Sequence, residues 1–305
     1  MSFEVKTISV PSSDNIHTLY GKIYIPNGEI KGLFHVVHGM TEHIERYDYL
    51  MSYAAEKGFV CFGYDNLGHG KTAKDDSELG FISYHDGWKL LVNDVNTFDS
   101  AVKKLYPDKP LILMGHSMGS FIARLAAENF REDYTKIIIC GTGGRNPLAN
   151  IGLLLTDIIA LLRGKKHISK TVLNMAFASY NKKFGSATPH EWLTKDRTVI
   201  EKYENDKLCN FQFTVSAMHD LIKLNSQCNR PAWFNKISKT TPVLLISGEC
   251  DPVGNYGKGV KWVYRQLIAN GVKAEIKLYE NCRHEILNDT CRDEVLSDIM
   301  KFLRT

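Results

Sequence analysis

The chain lacks any run of the ~18 apolar residues that a membrane-spanning helix needs. Its opening, MSFEVKTISV, has neither the basic start nor the apolar core of a secretory signal. Its seven cysteines are an odd number with no C-x-x-C pair and no repeating spacing, so they spell out neither a disulfide framework nor a zinc knuckle. No H-E-x-x-H is present, and no metal or other cofactor is expected. There is no long Lys/Arg block, and the net charge is only +4, which leaves no footprint for a nucleic acid. Internal repeats and low-complexity linkers are missing too. These absences point to a cytoplasmic protein with reduced thiols.

What is present is ordinary globular material: 305 residues, 44% hydrophobic and 24% charged. That length suits one large α/β domain with an insertion, or two domains. Phe3–Val10 and His17–Ile25 alternate like strands about a Pro-Ser-Ser-Asp-Asn turn and predict an antiparallel hairpin. The runs Leu33–Val37, Phe59–Tyr64, Leu111–Met114, Ile137–Cys140 and Val243–Ile246 are almost wholly apolar, as parallel strands covered on both faces are. Ile276–Tyr279 alternates and predicts a last strand. Helical spacing appears over Tyr47–Lys57, Trp88–Tyr106, Ser120–Phe130, Gly259–Asn270 and Thr290–Leu303. Strand alternating with helix means a doubly wound, mostly parallel sheet. Between Arg145 and Phe213 the rhythm lapses into helical segments and loops. Residues 145–213 are therefore expected to be an inserted helical cap, with residues 1–144 and 214–305 forming the core.

Ligands in such sheets bind beyond the carboxyl ends of the strands. There stands Gly115-His116-Ser117-Met118-Gly119, a G-x-S-x-G with an apolar strand before it and a helix after it. A sharp strand-to-helix turn needs small residues two places either side of its centre, hence Gly115 and Gly119, and it exposes the central serine as a nucleophile. A serine hydroxyl needs a base, and the base an orienting acid, in the chain order Ser, acid, His. Asp251 follows the strand Val243–Ile246 in a turn with Pro252 and Gly254, and is favoured over its rival Glu249, which sits nearer the strand. His284 follows Ile276–Tyr279 and is the only histidine downstream of Asp251. The oxyanion donors are expected at the Met118 amide and the Met40 amide of His38-Gly39-Met40-Thr41-Glu42-His43, where Gly39 permits close approach. His38 and His43 are expected to brace that loop.

Gly70-Lys71-Thr72 imitates the end of a phosphate-binding loop, but Asp65 stands where that motif requires glycine, so Gly68-His69-Gly70 is read as a loop near the floor of the site. Cys250 and Cys282 flank Asp251 and His284 and are read as buried, inert thiols, although oxidation there would disturb the triad.

Taken in order, "HGMTEHIERY", "GYDNLGHGKT", "GHSMGS", "SGECDPVGN" and "NCRHEILND" resemble the α/β-hydrolases, and within them the monoacylglycerol lipase and lysophospholipase group, close to the S33 peptidase-like hydrolases. "WLTKDRTVIEKYENDKLCNFQFT" is similar to bacterial members of that group. The resemblance runs from about residue 33 to the end. It implies an α/β-hydrolase fold, a Ser117–Asp251–His284 triad, Met40 and Met118 as oxyanion donors, and a small-molecule or lipid ester substrate. The chain departs from the family at Leu67, where Arg or Pro is common, which bears on local loop contacts. A proline-releasing aminopeptidase is the enzymatic alternative and would need an acidic anchor such as Glu201, Glu204 or Asp206. A non-catalytic binding protein would show a broken triad, and here all three members are present.

Ile151–Leu162 is mostly apolar and is followed by Arg163, Lys165 and Lys166. Two readings stay open: a helix buried against the core or an oligomer partner, and a lid that meets lipid aggregates through Ile151, Leu154, Leu155, Ile158 and Leu162.

Overall fold

A computed structural model describes residues 2–131, 133–185 and 187–304. Its elements run β1 (Phe3–Pro11), β2 (Thr18–Pro26), β3 (Gly32–Val37), α1 (Asp48–Glu56), β4 (Phe59–Tyr64), α2 (Gly87–Leu105), β5 (Leu111–His116), α3 (Met118–Asn129) and β6 (Tyr134–Cys140). There follow α4 (Ala149–Arg163), α5 (Lys170–Phe177), α6 (Arg197–Asn205), α7 (Val215–Cys228) and α8 (Pro231–Lys236). The chain closes with β7 (Val243–Gly248), α9 (Lys258–Ala269), β8 (Ala274–Tyr279) and α10 (Arg292–Arg304).

The strands form one sheet in the order β1-β2-β4-β3-β5-β6-β7-β8. The β1–β2 and β2–β4 pairings are antiparallel, and every pairing from β4 through β3 to β8 is parallel. The apolar runs are explained by two cores, one on each face of the sheet. Leu33, Val60, Phe62, Leu111, Leu113, Ile137 and Ile139 point to one side, where α2, α3, α7 and α9 add Phe98, Ile122, Met218 and Val263. Phe34, Val36, Phe59, Cys61, Ile112, Met114 and Ile138 point to the other, where α1 and α10 add Leu50, Met51, Val295 and Ile299. Side chains alternate across a strand, so a strand buried on both faces must be apolar throughout.

Every predicted strand and helix is present; Phe59–Tyr64 coincides with β4, and the others have shifted ends. β6 starts at Tyr134, three residues before the apolar run, because Thr135 and Lys136 interrupt the pattern. α3 starts at Met118 rather than Ser120, immediately after the serine. β8 is an edge strand, and its Lys277 ammonium reaches Glu294 at 2.7 Å and Asp298 at 2.6 Å on the helix that follows.

Among the described residues no strand lies between β6 and β7. Three of the helices of this excursion start where short polar side chains accept orphan backbone N–H groups: Ser169 before α5, Asp196 before α6 and Thr214 before α7. α7 packs against α4 on one side and against α2 and α3 on the other, so it joins the excursion to the body of the fold.

Candidate active site

The turn from β5 into α3 is tight in the way the motif requires. Ser117 has φ 54° and ψ −122°, in the region that side chains rarely adopt, and its N–H donates to the Cys140 carbonyl at 3.0 Å. A Cβ on Gly115 would fall 2.1 Å from the Gly119 carbonyl oxygen, and one on Gly119 would fall 2.2 Å from that of Val37. Both flanking positions therefore exclude any side chain. Met118 opens α3, so its N–H is among those a helix leaves unpaired.

Asp251 and His284 are brought together from the ends of β7 and β8. Asp251 is fully buried. Its Oδ1 accepts the Val253 N–H at 2.8 Å, and its Oδ2 accepts the Ser247 hydroxyl at 3.1 Å. His284 Nδ1 stands 3.0 Å from the same Oδ2. That contact is close but bent, and it falls short of a linear hydrogen bond. The His284 ring lies between those of His116 and Trp192, with centroids 4.8 and 5.1 Å away. Glu249, the rival acid, directly follows β7 and is exposed.

Ser117, His284, Met40 and Met118 all line one cavity of about 970 Å³. Leu173, Phe177, Met218, Leu221, Ile222 and Trp262 give it an apolar wall, while Thr41, Glu42, His190 and Tyr203 make a polar end.

The loop that carries Met40 is held from below. His38 Nε2 accepts the Asn66 N–H at 2.8 Å, and its Nδ1 donates to the Gly39 carbonyl at 2.8 Å. Burial drives the His38 ring down to about 4, so it is neutral and its tautomer is set by these two partners. His43 reaches Asp206 at 2.9 Å. His69 is likewise buried, with burial pushing it down to about 3, and it packs 5.2 Å from His38 beneath the site. Where a phosphate loop would leave its backbone N–H groups free, the Asp65 carboxylate takes those of Ile44 and Lys71 at 2.8 and 2.7 Å. Leu67 is buried in the core, where it acts as a packing side chain.

Sequence reasoning passed over the groups that tie the two loops together. Arg46 donates to Glu42 Oε2 at 2.6 Å and makes a forked pair with Glu285 at 2.8 and 2.6 Å. Glu42 Oε1 in turn accepts the Gly39 N–H at 2.6 Å and the Tyr47 hydroxyl at 2.8 Å. Burial works to raise the Glu42 carboxyl, but His116 and the Arg46 guanidinium outweigh it and hold it well below its ordinary value. The signal was the i, i+4 pair Glu42/Arg46 in "TEHIERY". Its third member, Glu285, comes from the far end of the chain.

Three expectations need correction. Cys282 is joined to Cys291 by a disulfide, so it is not a free thiol; the loop carrying His284 folds back onto the start of α10 and brings the two Cα atoms within 6.6 Å. Cys250 is free but partly exposed rather than buried, and its N–H donates to the Cys282 carbonyl at 2.9 Å. On α4, Ile151, Leu154, Ile158 and Leu162 are exposed, as is Leu161. Leu155, however, turns inward and packs on the core, because helical periodicity places it on the face with Gly152 and Ile159.

The anchoring acids weighed above are otherwise engaged. Glu204 pairs with His190 at 2.8 Å, Asp206 pairs with His43, and Glu201 is exposed. Among the described residues, the acids lining the cavity are Glu42 and Glu285, both bound to Arg46.

A family model described as "Serine aminopeptidase, S33" matches residues 28–291. A monoglyceride lipase homolog of Monkeypox virus is 28% identical over 89% of this chain and 88% of its own. The monoglyceride lipase of Mus musculus is 35% identical over 78% of this chain and 72% of its own. Among solved structures, a thermostable carboxyl esterase from Bacillus coagulans, in complex with glycerol, superposes with a TM-score of 0.92 at 30% identity, covering 98% of both chains.

Proposed function

The chain belongs to the serine aminopeptidase S33 family of α/β-hydrolases, and we propose that within it the protein is a serine esterase for single-chain acyl esters, a monoacylglycerol or a lysophospholipid. The observation that carries this reading is that His284, paired behind with the buried Asp251, lines the same apolar-walled cavity as the strained Ser117. The lipase and esterase relatives support the ester chemistry.

In the proposed reaction His284 uses Nε2, since its Nδ1 is turned to Asp251. It takes the Ser117 hydroxyl proton as the oxygen attacks the ester carbonyl. The Met40 and Met118 amides hold the oxyanion; loss of one such donor has cost ~3–4 kcal/mol in studied enzymes. Asp251 stabilises the imidazolium, which then protonates the leaving alcohol. Water, deprotonated by the same histidine, releases the fatty acid and restores Ser117. The acyl chain lies along Leu173, Phe177, Met218 and Leu221, and the alcohol faces the polar end. In this reading residues 145–213 are the cap that roofs the acyl path.

A panel of monoacylglycerol, lysophosphatidylcholine and an aminoacyl amide tests the substrate class. Cleavage of the lipids is expected to exceed that of the amide, because among the described residues the carboxylates lining the cavity, Glu42 and Glu285, are already bound to Arg46. Faster turnover of the amide would overturn the proposal.

The exposed stripe Ile151, Leu154, Ile158, Leu161 and Leu162, flanked by Arg163 and Lys166, is proposed to meet the lipid surface. Among the described residues no helix is long and apolar enough to cross a membrane. Leu154→Glu with Leu161→Glu is expected to slow hydrolysis of vesicle-borne monoacylglycerol ~10-fold or more, since burying one leucine is worth about 1.5–3 kcal/mol. Hydrolysis of a soluble short-chain ester should be unchanged, and equal slowing of both substrates would refute the surface role.

A further inference from the structure

We propose that His43, Asp206 and Cys209 form a binding site for one divalent zinc-class cation, outside the triad. A His43 ring nitrogen, an Asp206 carboxylate oxygen and Cys209 Sγ all lie within 4.8 Å of one another. The set joins an imidazole, a carboxylate and a thiol, the mixture that Zn²⁺ accepts and that Mg²⁺ and Ca²⁺ do not. Ligands about 2.0–2.3 Å from a tetrahedral ion stand roughly 3.2–3.8 Å apart, so closing on a cation takes side-chain shifts of about 1 Å.

The local backbone prepares the site. Asp206 ends α6, and its Oδ1 accepts the Leu208 N–H at 2.8 Å while its carbonyl accepts the Cys209 N–H at 3.0 Å. This turn presents the second carboxylate oxygen and the thiol to the same point. His43 comes from the loop after β3, 163 residues earlier, and its Nε2 stands 2.9 Å from Asp206 Oδ2. His43 and Cys209 are 6% and 4% exposed, whereas the Asp206 side chain is 36% exposed and leaves a path for the ion and a water as fourth ligand.

Charge favours a cation here. Burial pushes the Cys209 thiol up, the Arg46 guanidinium works against that, and the carboxylates of Asp206, Glu42 and Glu285 add negative charge around the sulfur. The guanidinium is already bound between Glu42 and Glu285. Binding forms a metal–sulfur bond and breaks the S–H bond of Cys209, whose proton passes to solvent; His43 contributes its Nε2 lone pair and Asp206 its anionic oxygen. The ion would fasten the turn after α6 to the loop that carries Met40. The D-x-x-C pair and the distant histidine make no recognisable spacing, so the sequence gives no zinc pattern.

Cobalt(II) titration of the metal-free protein is the test. The wild type is expected to bind one equivalent with a thiolate-to-cobalt charge-transfer band. That band should be lost in Cys209→Ser and His43→Asn and kept in Ser117→Ala. Asp206→Asn, a change at a partly exposed side chain, should keep the band but need at least tenfold more cobalt. Zinc should raise the thermal midpoint of the wild type and leave that of Cys209→Ser unmoved, and in chelator Cys209→Ser should hydrolyse ester as the wild type does. No band in the folded wild type, a band surviving in Cys209→Ser, or a band lost in Ser117→Ala would each overturn the proposal, the last by moving the cation to the triad.

Discussion

Ser117→Ala is expected to lower ester hydrolysis by on the order of 10⁶, the loss seen when the nucleophile of a triad is removed. The folded structure should be unchanged. Among the described residues the Ser117 hydroxyl makes no hydrogen bond that alanine would forfeit. What holds the turn is backbone: the Ser117 N–H on the Cys140 carbonyl, and the Ser117 carbonyl accepting the Ser120 N–H at 2.9 Å and hydroxyl at 2.6 Å. Alanine keeps the Cβ, and with it the strain of φ 54°. Ser117→Gly separates the two properties further. It should be as inactive as alanine yet more stable by about 1–3 kcal/mol, because glycine occupies positive φ without penalty. Thermal unfolding and an ester assay on the three proteins read both effects. Labelling by a fluorophosphonate, which requires an activated serine, should occur in the wild type alone. Equal labelling of Ser117→Ala would assign the nucleophile elsewhere.

The fold was legible because its strands are buried on both faces. Phe59–Tyr64 could be read to the residue, since no polar side chain interrupts it. β6 was shortened in the reading by Thr135 and Lys136, which a strand tolerates where its end meets solvent. Of the candidate site, the placement of Ser117, Asp251 and His284 after the ends of β5, β7 and β8 was legible, because each follows its own strand-like run. What was illegible is what only the folded loops bring together. Glu285 looks like a solvated loop acid until Arg46 is seen to reach it, and Cys282 looks like a free thiol until the loop closes on Cys291. The inward turn of Leu155 is a smaller case: composition marks α4 as apolar, and only its packing shows which face is wet.

Arg46→Met is expected to destabilise the protein by about 3–5 kcal/mol, the penalty for leaving buried charges without their partner. Glu42 and Glu285 are 3% and 4% exposed, and the guanidinium is the cation that both share. The same change should depress hydrolysis, because Glu42 grips the Gly39 N–H in the loop of Met40 and Glu285 follows His284 directly. Arg46 acts through those two loops, so it is a positioning residue, and kcat is expected to fall more than KM rises. The pH dependence follows from Glu42. Its carboxyl lies well below the ordinary value when folded, so its stabilisation is complete above the unfolded value of ~4.3 and is lost as pH falls through the folded one. Without Arg46 that depression shrinks, and acid unfolding should begin at a higher pH than in the wild type. Urea unfolding of Arg46→Met beside the triple variant Arg46→Met, Glu42→Gln, Glu285→Gln distinguishes charge from shape. If the loss is uncompensated charge, the triple variant regains most of the stability but not the turnover, since the amides keep no cation to link the two loops. If the triple variant is as unstable as the single one, the guanidinium stabilises this junction by packing over the Tyr203 ring, 5.0 Å from its centroid, rather than by its charge.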